Sequence, residues 1–171
     1  MAEIFLLTGP FLSGKTSFCF KLFSELEKRG KDVRGIISQA DFEGERKVRI
    51  WALGLPSLEK RLLAEKKGQG LAIPQLWPWV FKEDAIFWVN SQLKAAIPCQ
   101  VLIVDELGPL EFQFQEGFQE AFPAIDSQKF HLALAVVRTE LLNLSLKRWP
   151  QAKILKIEDA EKWSQEVLHS L

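Results

Sequence analysis

Cysteine is scarce, neither charge is in excess and no long apolar run occurs in this chain of 171 residues. Its two cysteines, Cys19 and Cys99, are too few for the disulfide framework of a small secreted protein, so we expect unpaired thiols in a cytoplasmic protein. No segment approaches the roughly 20 apolar residues that a membrane-spanning helix needs. The N-terminus also lacks the basic and apolar regions of a signal peptide. We therefore expect no membrane association.

The charges are balanced, with 22 basic and 22 acidic side chains and a formal net charge of zero. A dedicated nucleic-acid-binding protein normally carries a basic surplus, so the balance argues against that class. No heptad repeat of a coiled coil is evident. Together these observations favour a monomer, and the chain length favours a single domain over residues 1–171.

Apolar runs and amphipathic segments alternate along the chain. Residues 4–7 predict a strand buried on both faces, and residues 15–29 have apolar side chains at helical spacing. Further strands are predicted at residues 33–38, 47–53, 100–108, 130–137 and 152–157, and further helices at 82–97, 115–126 and 159–171, the last with Asp159 as its N-cap. This alternation predicts an α/β fold with a mainly parallel sheet flanked by helices.

Two segments interrupt the alternation. Residues 33–53 carry Gly44 between two strand-like runs, which predicts a β-hairpin added at an edge of the sheet. Residues 54–82 contain several prolines and glycines and a polar, basic stretch, which predict an exposed, mobile loop.

A glycine-rich segment joins the first predicted strand to the first predicted helix. Residues 9–16 match the pattern G-x-x-x-x-G-K-[ST], in which backbone N–H groups and a helix N-terminus surround a phosphate. Lys15 is placed to contact the β- and γ-phosphates, and the hydroxyl of Thr16 is placed to bind Mg²⁺. The predicted phosphate-binding residues are Gly9, Pro10, Phe11, Leu12, Ser13, Gly14, Lys15, Thr16 and Ser17. The segment predicts a site for a nucleoside triphosphate.

Two acids end the apolar run of residues 101–104. A P-loop enzyme needs an acid at the end of a neighbouring strand to support Mg²⁺, and Asp105 has that position. Glu106 follows it, where a carboxylate can orient and deprotonate an attacking water molecule. We therefore assign Asp105 to the metal and Glu106 to catalysis as the general base.

These motifs and the segments around them resemble the THEP1-type nucleoside-triphosphatase family of small P-loop proteins. The matching segments are LLTGPFLSGKTS, VRGIISQADFEGERKV, VFKEDAIFWVN, VDELGPLEF and VVRTELL, in the family's order. The resemblance implies a RecA-like sheet flanked by helices. It also implies a Mg²⁺-dependent hydrolase of ATP, GTP and other nucleoside triphosphates, with broad base tolerance and slow turnover.

Other residues allow two interpretations each. Arg138 follows the predicted strand 130–137 and either directs its guanidinium at the γ-phosphate as a catalytic group or caps a surface loop. Glu111 either orients a neighbouring backbone group or the metal's surroundings, or is a solvated or ion-paired acid. Arg46, Lys47 and Arg49 either approach the nucleotide or protect an edge strand from aggregation.

The aromatic and histidine residues give weaker indications. Trp77 and Trp79 flank a proline and are candidates for stacking on a base, with packing in the core or a lid as the alternative. Trp88 lies at helical spacing and is expected in the core. His131 and His169 have no companion ligands at metal spacing, so we expect neither to be catalytic or zinc-binding.

Three functional hypotheses follow from the sequence. The preferred one is hydrolysis of nucleoside triphosphates with Glu106 activating water. The first alternative is a kinase that uses the same P-loop and transfers the phosphoryl group to a small metabolite or nucleotide; residues 54–82 would supply the acceptor pocket and lid. The second is a nucleotide-dependent switch or assembly factor.

Overall fold

The computed structural model describes residues 1–171, which form a nine-stranded mixed sheet with helices packed on both faces. The strands are, in chain order, β1 (Glu3–Thr8), β2 (Val33–Glu43), β3 (Arg46–Leu55), β4 (Lys60–Glu65), β5 (Leu71–Ala72), β6 (Val80–Phe81), β7 (Val101–Leu107), β8 (Leu132–Val137) and β9 (Lys153–Lys156). The α-helices are α1 (Lys15–Lys28), α2 (Glu83–Ala95), α3 (Pro109–Phe112), α4 (Ala121–Asp126), α5 (Leu142–Arg148) and α6 (Ile157–Ser170).

The sheet has a parallel half and an antiparallel half that meet at β2. Its strand order is β5-β6-β4-β3-β2-β7-β8-β1-β9. The pairs from β2 to β9 are all parallel, and the pairs from β2 to β5 are all antiparallel. The prediction of an α/β fold is confirmed, but the prediction of a mainly parallel sheet is wrong, because half of the strand pairs are antiparallel.

The predicted edge hairpin lies inside the sheet. The β2 and β3 strands do pair in antiparallel register around Gly44, whose φ of 62° lies in the left-handed region that glycine tolerates. However, β3 also pairs with β4, and three further strands extend the sheet beyond the hairpin. The edge location is therefore wrong.

The predicted loop at residues 54–82 contains three strands and a 3₁₀ helix at Pro74–Leu76. The strand β4 was missed because half of its sequence, KRLLAE, is charged and its apolar stretch is only three residues long. Leu63 and Ala64 are nonetheless buried, and Leu63 belongs to the core layer that contains α2. Backbone pairing with β3 compensates for weak local apolar periodicity.

Two helix predictions need correction. The helix expected over residues 115–126 is confined to α4, because Gln115 and Gly117 both have positive φ and turn the chain before it. The last helix begins at Ile157 with Lys156 as its N-cap, so Asp159 lies in the first turn and is not the cap. An acid at that position still interacts favourably with the helix dipole.

The core lies in two layers, one on each face of the sheet. The helices α1 and α6 cover one face, and α2 and α4 with Trp149 cover the other.

Cys19 is buried and Cys99 is half-buried, and both are free thiols. Burial raises the pKa of the Cys19 thiol well above its usual value and that of Cys99 to about 11. No helix combines the length and the apolar character that spanning a bilayer requires.

Candidate active site

The glycine-rich segment forms the loop between β1 and α1, as the sequence predicts. Gly14 is the N-cap of α1 with a φ of 88°, a left-handed conformation that a side chain would strain. At Gly9 a side chain is excluded by lack of space, because a Cβ there would lie 2.6 Å from Cγ2 of Ile157 at the start of α6. No side chain caps the N-terminus of α1, so its first N–H groups face the loop without such a partner.

The ammonium group of Lys15 lies against this loop. Its Nζ donates hydrogen bonds to the carbonyl oxygens of Gly9 at 3.0 Å and Pro10 at 2.7 Å, and to Oγ of Ser13 at 3.2 Å. The positive charge and the free helix N-terminus are therefore concentrated at one short segment. This arrangement suits a polyanion such as a triphosphate.

Asp105 is buried at the end of β7 with one oxygen unpartnered. Its Oδ2 accepts a hydrogen bond from the N–H of Ser38 at 3.3 Å, and the Ser38 hydroxyl donates to the carbonyl oxygen of Asp105. Its Oδ1 is buried and has no hydrogen-bond partner. Burial, and secondarily the charge of Glu106, raises the pKa of the Asp105 carboxyl to about 7, while the Thr16 side chain and the Ser38 N–H act in the opposite direction. A buried oxygen without a donor is a place for a cation.

No group of three or more His, Cys, Asp or Glu side chains is arranged to hold a metal ion. A multi-histidine or carboxylate-rich metal centre is therefore not the chemistry of this site. Magnesium that is bound largely through substrate phosphates needs only one or two protein ligands. The Thr16 side chain and Oδ1 of Asp105 meet that smaller requirement.

Glu106 and Arg138 come together at the ends of neighbouring parallel strands. Nε of Arg138 donates a hydrogen bond to Oε1 of Glu106 at 2.7 Å, and both side chains remain partly exposed. The segment after Arg138 is also tied to β1, because the hydroxyls of Thr8 and Thr139 lie 3.2 Å apart. Oε2 of Glu106 accepts no hydrogen bond, which leaves it free for a proton.

The carboxylate of Glu111 binds backbone N–H groups and makes no hydrogen bond with Asp105. Its carboxylate accepts hydrogen bonds from the N–H groups of Gly108 at 2.8 Å and Phe118 at 3.1 Å. Burial raises its pKa to about 7 although both hydrogen bonds favour the charged form. Of the two interpretations of Glu111, the orientation of backbone groups is therefore the one that its contacts match.

Two cavities meet at Glu106. The P-loop cavity, of about 470 Å³, is lined by residues 11–17 together with Phe20 of α1 and Phe42 of β2. The tryptophan cavity, of about 300 Å³, is lined by Trp77 and Trp79 among others. The residues that line both cavities are Thr16, Lys47 and Glu106.

Sequence reasoning missed part of both cavities. Phe20 and Phe42 are aromatic and exposed, and their only sequence signal is that each is apolar where the local pattern predicts a polar face. Ile50 and Leu63 line the tryptophan cavity from strands of the antiparallel half. Their contribution depends on β3–β4 pairing, which no local motif indicates.

Of the basic residues on β3 that the sequence offered as candidates, only one lines either cavity. Lys47 lines both cavities, whereas Arg46 and Arg49 are exposed on β3 and line neither. Protection of an edge strand does not explain Arg49, because β3 is paired there with both β2 and β4. Arg46 and Lys47 precede the segment that pairs with β4, so β3 is paired there with β2 alone. Trp88 packs against the core beside Gly54.

The two histidines lie outside this region. His131 and His169 are exposed, and neither lines either cavity. Their positions give no support to a catalytic or metal-binding role.

Comparison with known proteins identifies relatives of this chain. A family model described as NTPase matches residues 4–168. The nucleoside-triphosphatase THEP1 of Thermofilum pendens is 32% identical over 77% of this chain and 72% of its own length. THEP1 of Methanocaldococcus jannaschii is 25% identical over 96% of this chain and 95% of its own.

Solved structures share the fold. A human cancer-related nucleoside triphosphatase superposes with a TM-score of 0.72 at 18% identity, covering 99% of this chain and 97% of that one. THEP1 from Aquifex aeolicus superposes with a TM-score of 0.65 at 18% identity, covering 100% of this chain and 99% of that one. With a family match over nearly its whole length and a P-loop at the expected place in the fold, the chain belongs to the THEP1-type nucleoside-triphosphatase family.

Proposed function

We propose that the chain is a Mg²⁺-dependent hydrolase that binds nucleoside triphosphates in the P-loop cavity and uses Glu106 to activate water. The observation that carries this proposal is the position of Glu106, which lines the same cavity as Lys15 and Thr16. A general base must lie within reach of the phosphate that is attacked, and the shared cavity supports this role for Glu106.

The charged groups at the loop would hold the substrate. Lys15 and the N-terminus of α1 would bind the β- and γ-phosphates, with the other residues from Gly9 to Ser17 shaping the cradle. Thr16 and Oδ1 of Asp105 would hold Mg²⁺, and Oδ1 fits because it is buried without a donor. When bound, the ion would neutralise charge on the phosphate oxygens.

The reaction itself would be an in-line displacement. A water oxygen forms a bond to the γ-phosphorus while the bond from that phosphorus to the bridging β-phosphate oxygen breaks. Oε2 of Glu106 accepts the water proton, and Arg138 holds Oε1 and thereby the orientation of the carboxylate. The products are a nucleoside diphosphate and inorganic phosphate.

Broad base tolerance is part of the proposal. Beyond the loop the P-loop cavity presents Phe20, Phe42 and the short Ala40, with Gln39 as its one amide side chain. Aromatic rings stack on any base and therefore discriminate little. We further propose a monomeric, single-domain protein over residues 1–171, and a cytoplasmic location that is consistent with its two free thiols.

The test is phosphate release from ATP, GTP, CTP and UTP with Mg²⁺ and with a chelator. We expect release from several triphosphates that stops when the ion is chelated. Lys15→Ala should lose nucleotide binding. Glu106→Gln should keep binding but lose about 10²- to 10⁴-fold in turnover, because its amide cannot accept the proton.

Glu140→Gln is the matched control, because it removes an exposed carboxylate that lines neither cavity. It should leave turnover unchanged. Wild-type protein that binds nucleotide without releasing phosphate, or Glu106→Gln with wild-type turnover, would show that Glu106 does not activate water.

A further inference from the structure

The tryptophan cavity is larger than hydrolysis requires. The attacking species in hydrolysis is one water molecule, whose share of liquid volume is about 30 Å³. The cavity has a volume of about 300 Å³. A space of that size beside the P-loop cavity accommodates an organic molecule.

The position of the cavity points to a second substrate. It reaches Glu106 from the side of Gly108 and Arg138, whereas the P-loop cavity reaches Glu106 from the loop. Thr16 and Lys47 line both spaces. A ligand in the tryptophan cavity would therefore approach the γ-phosphate of a nucleotide held by the loop.

The walls indicate the chemistry of that ligand. Trp77 is 74% exposed and lines the cavity, so its indole ring is accessible to a ligand there. Trp79 joins it in the lining, with Nζ of Lys66 lying 5.4 Å from the centroid of its ring, so two indole rings contribute stacking surface to the cavity. Gln75 and Ser38 offer uncharged hydrogen-bonding groups.

The charges in the lining favour a neutral ligand. Arg138 is paired with Glu106, and Glu111 is held by two backbone N–H groups. Lys47 is the remaining charged side chain, and it also faces the P-loop cavity. No unpaired cation is dedicated to this cavity, as a phosphorylated acceptor would need.

We propose that the tryptophan cavity binds a nucleoside as a phosphoryl acceptor, a proposal that rests on nucleotide binding at the P-loop as described above. The nucleoside base stacks on Trp77 and Trp79, and a sugar hydroxyl faces Glu106. The hydroxyl oxygen forms a bond to the γ-phosphorus as the bond to the bridging β-phosphate oxygen breaks. The hydroxyl proton moves to Glu106, and a nucleoside monophosphate and a nucleoside diphosphate leave.

The experiment follows label from ATP radiolabelled at the γ-phosphate, with adenosine, guanosine, cytidine and thymidine as acceptors. Transferred label and released phosphate are separated and their ratio is measured. We expect at least one labelled nucleoside monophosphate, and a ratio that falls about tenfold in Trp77→Ala because a stacking surface is lost.

Phe87→Ala is the matched control, since Phe87 is 78% exposed and lines neither cavity. Its ratio should equal that of the wild type. Phosphate release without label in any nucleoside, or an equal ratio in Trp77→Ala and wild type, would overturn this inference and leave the hydrolase intact. Wild-type protein that neither releases nor transfers phosphate would overturn both.

Discussion

The P-loop cavity and the tryptophan cavity share three lining residues but are built in different ways. Half of the P-loop cavity lining is one continuous segment, residues 11–17, whose shape follows from Gly14 and from the start of α1. The tryptophan cavity is assembled from both halves of the sheet, from residues 75–79, and from Gly108 with the helix α3. The first is a local structure, and the second exists only when distant strands are paired.

This difference separates two kinds of specificity. A phosphate cradle of backbone N–H groups recognises charge and shape that every nucleoside triphosphate shares. A cavity made of side chains from separate elements can change its ligand through single substitutions. We therefore expect the loop to recognise the triphosphate that all nucleotides share, and the side chains of the tryptophan cavity to select the second ligand.

Arg138 gives the sharpest test of the boundary between the cavities, because it lines only the tryptophan cavity. Arg138→Ala releases Oε1 of Glu106 from its 2.7 Å hydrogen bond and removes a positive charge beside the phosphate site. We expect kcat for phosphate release to fall about 10³-fold, as for other arginines that act on phosphoryl transfer. KM for ATP should change little, which steady-state kinetics will show.

The control for Arg138 is Arg148→Ala. Arg148 forms an ion pair of similar exposure with Asp126, 2.5 Å from Nη2 to Oδ2, and lines neither cavity. Its loss should leave kcat unchanged. If Arg138→Ala instead raised KM and kept kcat within about twofold of wild type, Arg138 would belong to nucleotide binding at the P-loop.

Glu111, in the lining of the tryptophan cavity, is expected to make the free energy of unfolding depend on pH. Its pKa is raised to about 7 by burial, from an ordinary value of 4.5, so the folded protein binds a proton that the unfolded chain has released in this interval. The group therefore favours folding at low pH, and that contribution is lost as pH rises from about 4.5 to about 7. Glu111→Gln cannot titrate, so the stability of wild type relative to this variant should fall by up to about 3 kcal/mol across that range.

Urea unfolding of both proteins at about pH 5 and about pH 8 measures this difference. Asp105 is present in both, so its own titration cancels. Glu116→Gln changes an exposed carboxyl on the same loop and should follow the wild type at both pH values. A wild-type advantage that grew with pH would mean that the hydrogen bonds from Gly108 and Phe118 outweigh burial.

The same contrast explains what could be predicted from the sequence. The strand–loop–helix unit from β1 to α1 was predictable because Gly9, Gly14 and Lys15 act within one segment. Asp105 and Glu106 were placed correctly at the end of β7, since apolar residues before two acids are a local pattern. The family resemblance was confirmed by relatives over nearly the whole chain.

The antiparallel half was not predictable for a physical reason. The strand β4 has three charged residues in six, and its pairing with β3 and β6 and the burial of Leu63 and Ala64 make it a strand. A mixed sheet therefore looked mainly parallel. The burial of Oδ1 of Asp105 without a donor was equally hidden, because it depends on tertiary packing around β7 and not on the local sequence.

Phe42 makes the smallest expected difference and tests what the P-loop cavity holds beyond the phosphates. It is 46% exposed at the outer end of β2 and lies outside the loop, so its loss should not disturb the cradle. If its ring contacts the base, Phe42→Ala should raise KM for ATP and for UTP about fivefold, with kcat little changed.

Inorganic tripolyphosphate, which has no base, should be bound equally by variant and wild type. Phe87→Ala should match the wild type with every substrate. An equal loss of affinity for tripolyphosphate and ATP would place Phe42 among the residues that shape the loop. The base would then lie elsewhere, and the enzyme would tolerate different bases because it makes few contacts with them, not because they stack on a ring.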